Sequence, residues 1–408
     1  MKTSIITIGD EILRGETLDT NSDYLSKKLF EAGAELVTKL TVSDKANDIV
    51  DALNYCFEKS SLIITTGGLG PTSDDITKQT LSDYFHTRLI FYPDVKKQIE
   101  ELLKHRYKTL SESHLSQAML PEKCIILKNR LGTASGMFFH EKEKRLISLP
   151  GVPFEMKDIF ENEVTPLLHS LIQIKILSLS IKTAGVAESV IAGQIQEIER
   201  SLPADFRLAY LPSIGEVKLR LTTTYSQQNQ LLLKDLQQKI SLVLGDMVYG
   251  FGDISLPEAI GQILIRKNLS LSIAESCTGG YVSHLITTVP GSSAYFKGSM
   301  VSYSNEIKIN QLKVEKAVIE KHGAVSEECA IQMATNIRKI FDTDIGLSIT
   351  GIAGPGGATP DKPLGLVFIC VANQEKSFVQ KLIFDRGRMQ NIQFFAVSAL
   401  NILRKLIL

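Results

Sequence analysis

The sequence predicts an α/β protein built from three successive domains, and three observations carry that expectation. Its 408 residues exceed one ordinary hydrophobic core. Short apolar runs alternate with stretches of helical periodicity along most of the chain. Two glycine-rich turns, TGGLGP at 66–71 and TGIAGP at 350–355, each follow an apolar run, as turns at the carboxyl ends of buried strands do.

In residues 1–170, Ser4–Ile8 reads as a strand, Asn21–Ala32 as a helix closed by Gly33, and Glu35–Thr41 as a strand. Ile49–Phe57 reads as a helix and Ser61–Thr65 as a buried strand, so a parallel sheet with crossover helices is expected. Residues 171–252 change rhythm. Strand Ile172–Ile181, helix Ala187–Arg200, strands Phe206–Leu211 and Glu216–Thr224, helix Asn229–Leu244 and strand Met247–Tyr249 give a small β-α-β-β-α-β, KH-like module. It has neither a GxxG loop nor an aromatic ladder, so a spacer or dimerisation role is favoured over RNA binding. Residues 253–408 open with helix Leu256–Lys267 and strand Leu269–Ala274. Strands Asp344–Thr350 and Leu364–Val371 and a last helix over Met389–Leu406 complete a third α/β domain.

Composition narrows the function. The chain is 44% hydrophobic and 22% charged, which fits a soluble globular protein, and its 45 basic residues balance 45 acidic ones. That balance argues against a nucleic-acid partner. The five cysteines form no CxxC pair and the seven histidines no HExxH, so neither a disulfide framework nor a zinc site is expected. A reducing cytoplasm fits best. The opening MKTSIITIGDEI meets charge too early for a signal peptide or a membrane span.

Two constellations carry chemistry. In the first domain, GDEILRGETLDTN (9–21), TGGLGPTSDD (66–75), NRLGTASG (129–136) and LPGVPFEM (149–156) combine glycine turns with carboxylates. Gly67, Gly68 and Gly70 can bring backbone amides close to a phosphate. Carboxylates beside phosphates make sense when a divalent cation bridges them, which makes Asp10, Glu11, Asp74 and Asp75 candidate metal or water-positioning groups. Singly, Asp74 also fits a helix cap and Asp10 a turn residue. In the third domain, AESCTGG (274–280) is followed by PGSSAYF, VSYSNEIK, HGAVSEE and GIAGPGG. Ser276 follows a buried strand and precedes Thr278, Gly279 and Gly280, whose amides suit an oxyanion hole. Lys308 is the candidate base, provided burial lowers its pKa. Tyr303 fits a proton relay and an ordinary strand aromatic equally well. Cys277 is the rival nucleophile, but adjacent extended residues face opposite ways, and a small buried thiol is usually packing.

Together these stretches resemble the competence/damage-inducible protein A family (CinA) over almost the whole chain, most weakly in the middle module. The resemblance implies a molybdopterin-binding-like first domain with metal-dependent hydrolysis of ADP-ribose. It implies Asp75 as a catalytic group there, with Gly67, Gly68, Gly70, Thr72 and Asn21 at the substrate and a magnesium-like cation as cofactor. Ser135 stands where relatives often carry proline. For the last domain it implies deamidation of nicotinamide mononucleotide by Ser276 with Lys308 and Tyr303, and without a cofactor. Gly351, Gly354, Gly356 and Arg386 would bind the nucleotide phosphate, with Arg388 a second arginine nearby. A cytoplasmic homodimer acting on small nucleotides, without nucleic acid or membrane, completes the expectation. The alternative is a pterin-binding or competence-related adaptor without amidase activity.

Overall fold

The computed structural model describes residues 1–72, 74–104, 111–172 and 175–408, and separates into two compact units, Met1–Ile176 and Leu177–Leu408. Ser73 of the expected loop, and residues 173 and 174 of the expected strand Ile172–Ile181, lie outside the described residues.

In the first unit, strands β1 (Lys2–Ile8), β2 (Glu35–Val42), β3 (Leu62–Thr66), β4 (Ile125–Leu127), β5 (Gly136–Glu141) and β6 (Lys144–Leu149) form one sheet in the order β2-β1-β3-β6-β5-β4. The first four in that order run parallel, while β5 pairs antiparallel with both β6 and β4. The parallel part is therefore as expected, and a hairpin extends it at one edge. The run Ser4–Ile8 is buried throughout because both faces of the sheet are covered. Ile6 and Ile8 pack with Ile49 and Leu53 of helix α1 (Ala46–Phe57), and Ile5 packs with Leu25 and Leu29 of Thr20–Glu31 on the other face. Asp19 caps that second helix through the Ser22 amide and accepts from Thr7 Oγ1 at 2.7 Å, fixing the helix start against β1.

The second unit contains two sheets. β7 (Ile176–Ala184), β8 (Arg207–Ser213), β9 (Glu216–Thr224) and β10 (Val248–Phe251) form the sheet β8-β9-β7-β10 of the middle module. Alternate residues of β9 are buried, as in a sheet covered on one face, and helices Glu188–Arg200 and Gln227–Leu244 supply the cover. β11 (Leu271–Glu275), β12 (Phe296–Val301), β13 (Ile345–Gly351), β14 (Leu366–Ala372) and β15 (Ser377–Ile383) form the last sheet, ordered β12-β11-β13-β14-β15. β11 is parallel to both neighbours, and β14 and β15 are antiparallel additions.

Helix α2 (Arg388–Ile407) ties the module to the last domain. Its Arg404 is 1% exposed and donates to the Val248 and Asp246 carbonyls and to Asn401 Oδ1. Burial pulls its pKa down. Asn401 in turn donates to the Ala184 carbonyl. The hairpin turn between β8 and β9 also meets this helix: a side chain on Gly215, at φ +78°, would lie 2.8 Å from Val397. The module is thus packed on the last domain and not strung beside it.

Candidate active sites

Strand β11 delivers Ser276 to the site of the last domain. The Ser276 amide still pairs with the Ile349 carbonyl, after which Gly279 (φ +61°) and Gly280 (φ +98°) turn the chain into a short helix, Tyr281–Thr287. Those two left-handed glycines let the turn close within one residue of the helix. Lys308 lies on Asn305–Asn310, capped by Ser304, and is 1% exposed. Its Nζ is 2.9 Å from Ser276 Oγ, 2.6 Å from the Ser302 carbonyl and 3.3 Å from the Tyr303 carbonyl. Burial pulls its pKa below the usual lysine value of 10.5. The geometry also orients the amine. With two N–H bonds given to the carbonyls, a neutral Nζ keeps its lone pair for the Ser276 proton.

Cys277 points elsewhere. It packs in the core with Leu271, Val282 and Phe395, and burial pushes its thiol up to about 12, far from a thiolate at neutral pH. The amides expected to stabilise an oxyanion need correction. Gly279 N donates to the Ser276 carbonyl and Gly280 N to Glu275 Oε2, so both are engaged. The amides of Cys277 and Thr278 have no acceptor on another residue among the described residues, and these two are free to receive an oxyanion.

Sequence reasoning missed Glu275. Fully buried, its carboxylate accepts from Thr278 Oγ1, Ser283 Oγ and the amides of Gly280, Val282 and Ser283. It therefore holds the shape of the serine turn. A carboxylate ending a buried strand just before Thr-Gly-Gly was the available signal.

Tyr303 also needs correction. Its phenol is exposed and accepts from Arg388 Nη2 at 3.0 Å; only its backbone carbonyl reaches Lys308. A phenolic relay between Tyr303 and Lys308 is not formed. Arg388 Nη1 donates to the Gly354 carbonyl at 2.6 Å, whereas Arg386 is exposed and only its amide is held, by Asn391. Of the two arginines, Arg388 is the one brought to the loop. Gly351 is required by packing, since a side chain there would meet the Leu366 carbonyl at 2.6 Å, while Gly354 takes φ +90° and Gly356 faces open space.

The first unit gathers its site at the ends of β1, β3 and β6. Gly67 (φ +116°) passes so close to Ile8 that a Cβ would sit 2.0 Å from its carbonyl oxygen. Gly68 likewise leaves no room beside Thr77 Oγ1. Asn21 is buried and donates to Thr66 Oγ1 and the Gly151 carbonyl, joining two strand ends. Its Oδ1 and the Thr77 hydroxyl are buried without a partner among the described residues. Asp75 accepts from the Gly70 amide at 2.7 Å and from the Thr72 amide and hydroxyl, so it folds the loop upon itself. The amides of Gly67 and Gly70 are engaged, while those of Gly68 and Leu69 are without acceptors among the described residues. Lys78, another residue missed from sequence, feels the charge of Asp75, and burial lowers its pKa.

The four-carboxylate cluster is not formed. Asp10 pairs with Arg14 at 3.0 Å, and its amide donates to Asp44. Glu11 and Asp74 are exposed, and the helix after Asp74 has no side-chain cap. Among the described residues no three of His, Cys, Asp and Glu converge on a point that could hold a metal. The physical reason is that Asp10 and Asp75 already serve local donors. A resident cage of protein carboxylates does not fit, and a magnesium-like ion would need substrate phosphates for most of its ligands.

These features define a multidomain α/β protein with a glycine loop at the strand ends of one unit and a buried serine–lysine pair in the other. Family models match residues 4–170 ("Probable molybdopterin binding domain"), 178–250 ("Damage-inducible protein CinA KH domain") and 253–407 ("CinA C-terminal domain"). The chain is 45% identical over 405 residues to a CinA-like protein of Cytophaga hutchinsonii, covering 98% of this chain and 97% of the relative. It is 39% identical over 409 residues to a CinA-like protein of Dictyoglomus thermophilum, covering 99% of each. The chain belongs to the CinA, competence/damage-inducible protein family. Among the described residues, no helix is long and apolar enough to cross a membrane.

Proposed function

We propose that the last domain hydrolyses the carboxamide of nicotinamide mononucleotide to nicotinate mononucleotide and ammonia. The observation that supports this reading is the 2.9 Å contact between Lys308 Nζ and Ser276 Oγ in a buried setting that lowers the lysine pKa. Ser276 Oγ attacks the carboxamide carbon as Lys308 takes its proton. The oxyanion is held by the Cys277 and Thr278 amides. Lys308 then returns the proton to the amide nitrogen, the C–N bond breaks and ammonia leaves. Water, deprotonated by the same lysine, attacks the ester carbonyl, and the ester C–O bond breaks to restore Ser276. Every proton is accounted for by one amine, and no cofactor is needed.

For the first unit we propose hydrolysis of ADP-ribose to AMP and ribose 5-phosphate, a reaction in which a divalent cation would offset the charge of the diphosphate. The free amides of Gly68 and Leu69 and the unpaired Asn21 Oδ1 support a small polar ligand there. The same reading carries a cytoplasmic homodimer that takes small nucleotides. Ammonia release from nicotinamide mononucleotide by the purified chain, with AMP formation from ADP-ribose measured alongside, tests it. No ammonia above the blank would reject the amidase reading and favour the adaptor alternative.

A further inference from the structure

We infer that Asn391 is a positioning residue that aims the 351–357 loop at the substrate's phosphate, an inference that rests on the amidase reading above. Asn391 is fully buried in the first turn of α2. Its Nδ2 donates to the Ala353 carbonyl at 3.0 Å, and its Oδ1 accepts from the Arg386 amide at 2.9 Å. One side chain therefore ties the glycine loop to the turn that leads into the helix. Arg388, three residues earlier on the same helix, holds the next carbonyl, that of Gly354, and also the Tyr303 phenol.

The consequence follows from peptide geometry. In a planar trans peptide the carbonyl and the following N–H point in opposite directions. Drawing the Ala353 carbonyl onto Asn391 turns the Gly354 N–H away from the helix, toward the open side of the loop. The amides of Gly354, Gly356 and Gly357 have no acceptor among the described residues, and Pro355 has no N–H to contribute. Two successive carbonyls are thus withdrawn to the helix while the amides are left for a ligand. An anionic group of phosphate type is the chemistry that such a set receives. The Asn391 side chain bonds to neither Ser276 nor Lys308, so the effect belongs to binding of the phosphate end.

The test compares a substrate with and without that phosphate. Full-length wild type, Asn391→Asp and Asn391→Ala are assayed for ammonia release from nicotinamide mononucleotide and from nicotinamide riboside. Asn391→Asp keeps an acceptor for the Arg386 amide but opposes the Ala353 carbonyl with charge. The expected result is a KM for the nucleotide raised at least about tenfold with kcat little changed, as for misaligning one hydrogen bond to a charged group. The kcat/KM for the riboside should stay within about twofold. Equal losses on both substrates, or no loss on either, would overturn the inference. Inorganic phosphate gives a check that needs no variant: it should compete with the nucleotide on wild type and leave riboside turnover unaffected. Phosphate that competes with neither, or with both alike, would also overturn it. Wild type that releases no ammonia removes the amidase reading and this inference together, whereas active wild type with unselective variants removes only the inference.

Discussion

The hexapeptides TGGLGP and TGIAGP sit at the ends of comparable buried strands, yet their surroundings use them differently. In the first unit a carboxylate, Asp75, accepts from the loop's own Gly70 and Thr72 donors and so fixes the loop from within. In the second unit the loop is fixed from outside, by Asn391 and Arg388 on α2, and the buried carboxylate Glu275 holds the separate serine turn. The comparison shows how little a carboxylate near a glycine loop says about metal binding. What matters is whether its lone pairs are already taken. By the same measure Lys308 stands out, because its two carbonyl partners leave the amine lone pair for Ser276.

The largest effects should come from the serine–lysine pair. Ser276→Ala is expected to lower nicotinamide mononucleotide deamidation at least about a thousandfold with the fold retained, as for loss of a nucleophile. Lys308→Arg should fail almost as badly as Lys308→Ala, since a guanidinium accepts no proton. Retained activity in Ser276→Ala would dissolve the contrast between the two sites. Asp75→Ala should come next. Releasing three loop donors is expected to lower ADP-ribose turnover about a hundredfold while leaving ammonia release unchanged. Adding excess chelator to wild type should suppress the same activity, and full turnover in chelator would remove the cation from the reading.

The contrast was partly legible in the sequence. Helix Leu256–Lys267 could be read to the residue because Ser255 and Glu258 form a capping box around its start. Strands Phe296–Val301 and Ser377–Ile383 were not foreseen, for different reasons. The first contains Gly298 and a lysine, and the second is an edge strand whose exposed positions erase any alternation. The Ser276–Lys308 contact spans 32 positions and no spacing rule reaches that far; the motifs around each residue carried it. The four carboxylates expected to cluster do not, because neighbours in sequence need not converge in space. Asp10 meets Asp44, 34 positions away, and not Asp75.

Two smaller effects sharpen the comparison. Amidase kcat/KM should rise with pH and level off once Lys308 is neutral, at a pH below the usual lysine value because burial depresses its pKa. The same depression means the unfolded chain binds more protons than the folded one between the lowered value and 10.5. Stability should therefore rise with pH across that window, and Lys308→Met should abolish the rise in urea titrations. Last, Cys277→Ala should cost about 1 kcal/mol of stability and keep most activity, because the thiol fills core volume. A folded but inactive Cys277→Ala would return the nucleophile question to the cysteine.

Arg404 decides where the chain can be divided. A fragment begun at residue 253 keeps Ser276, Lys308 and Asn391 but leaves behind the Asp246 and Val248 carbonyls that accept from the buried guanidinium, as well as the Ala184 carbonyl that accepts from Asn401. A fragment begun at Leu177 takes all three acceptors with it. Anyone shortening the protein to its serine–lysine domain should either cut at Leu177 or replace Arg404 with a residue content to face water without those partners.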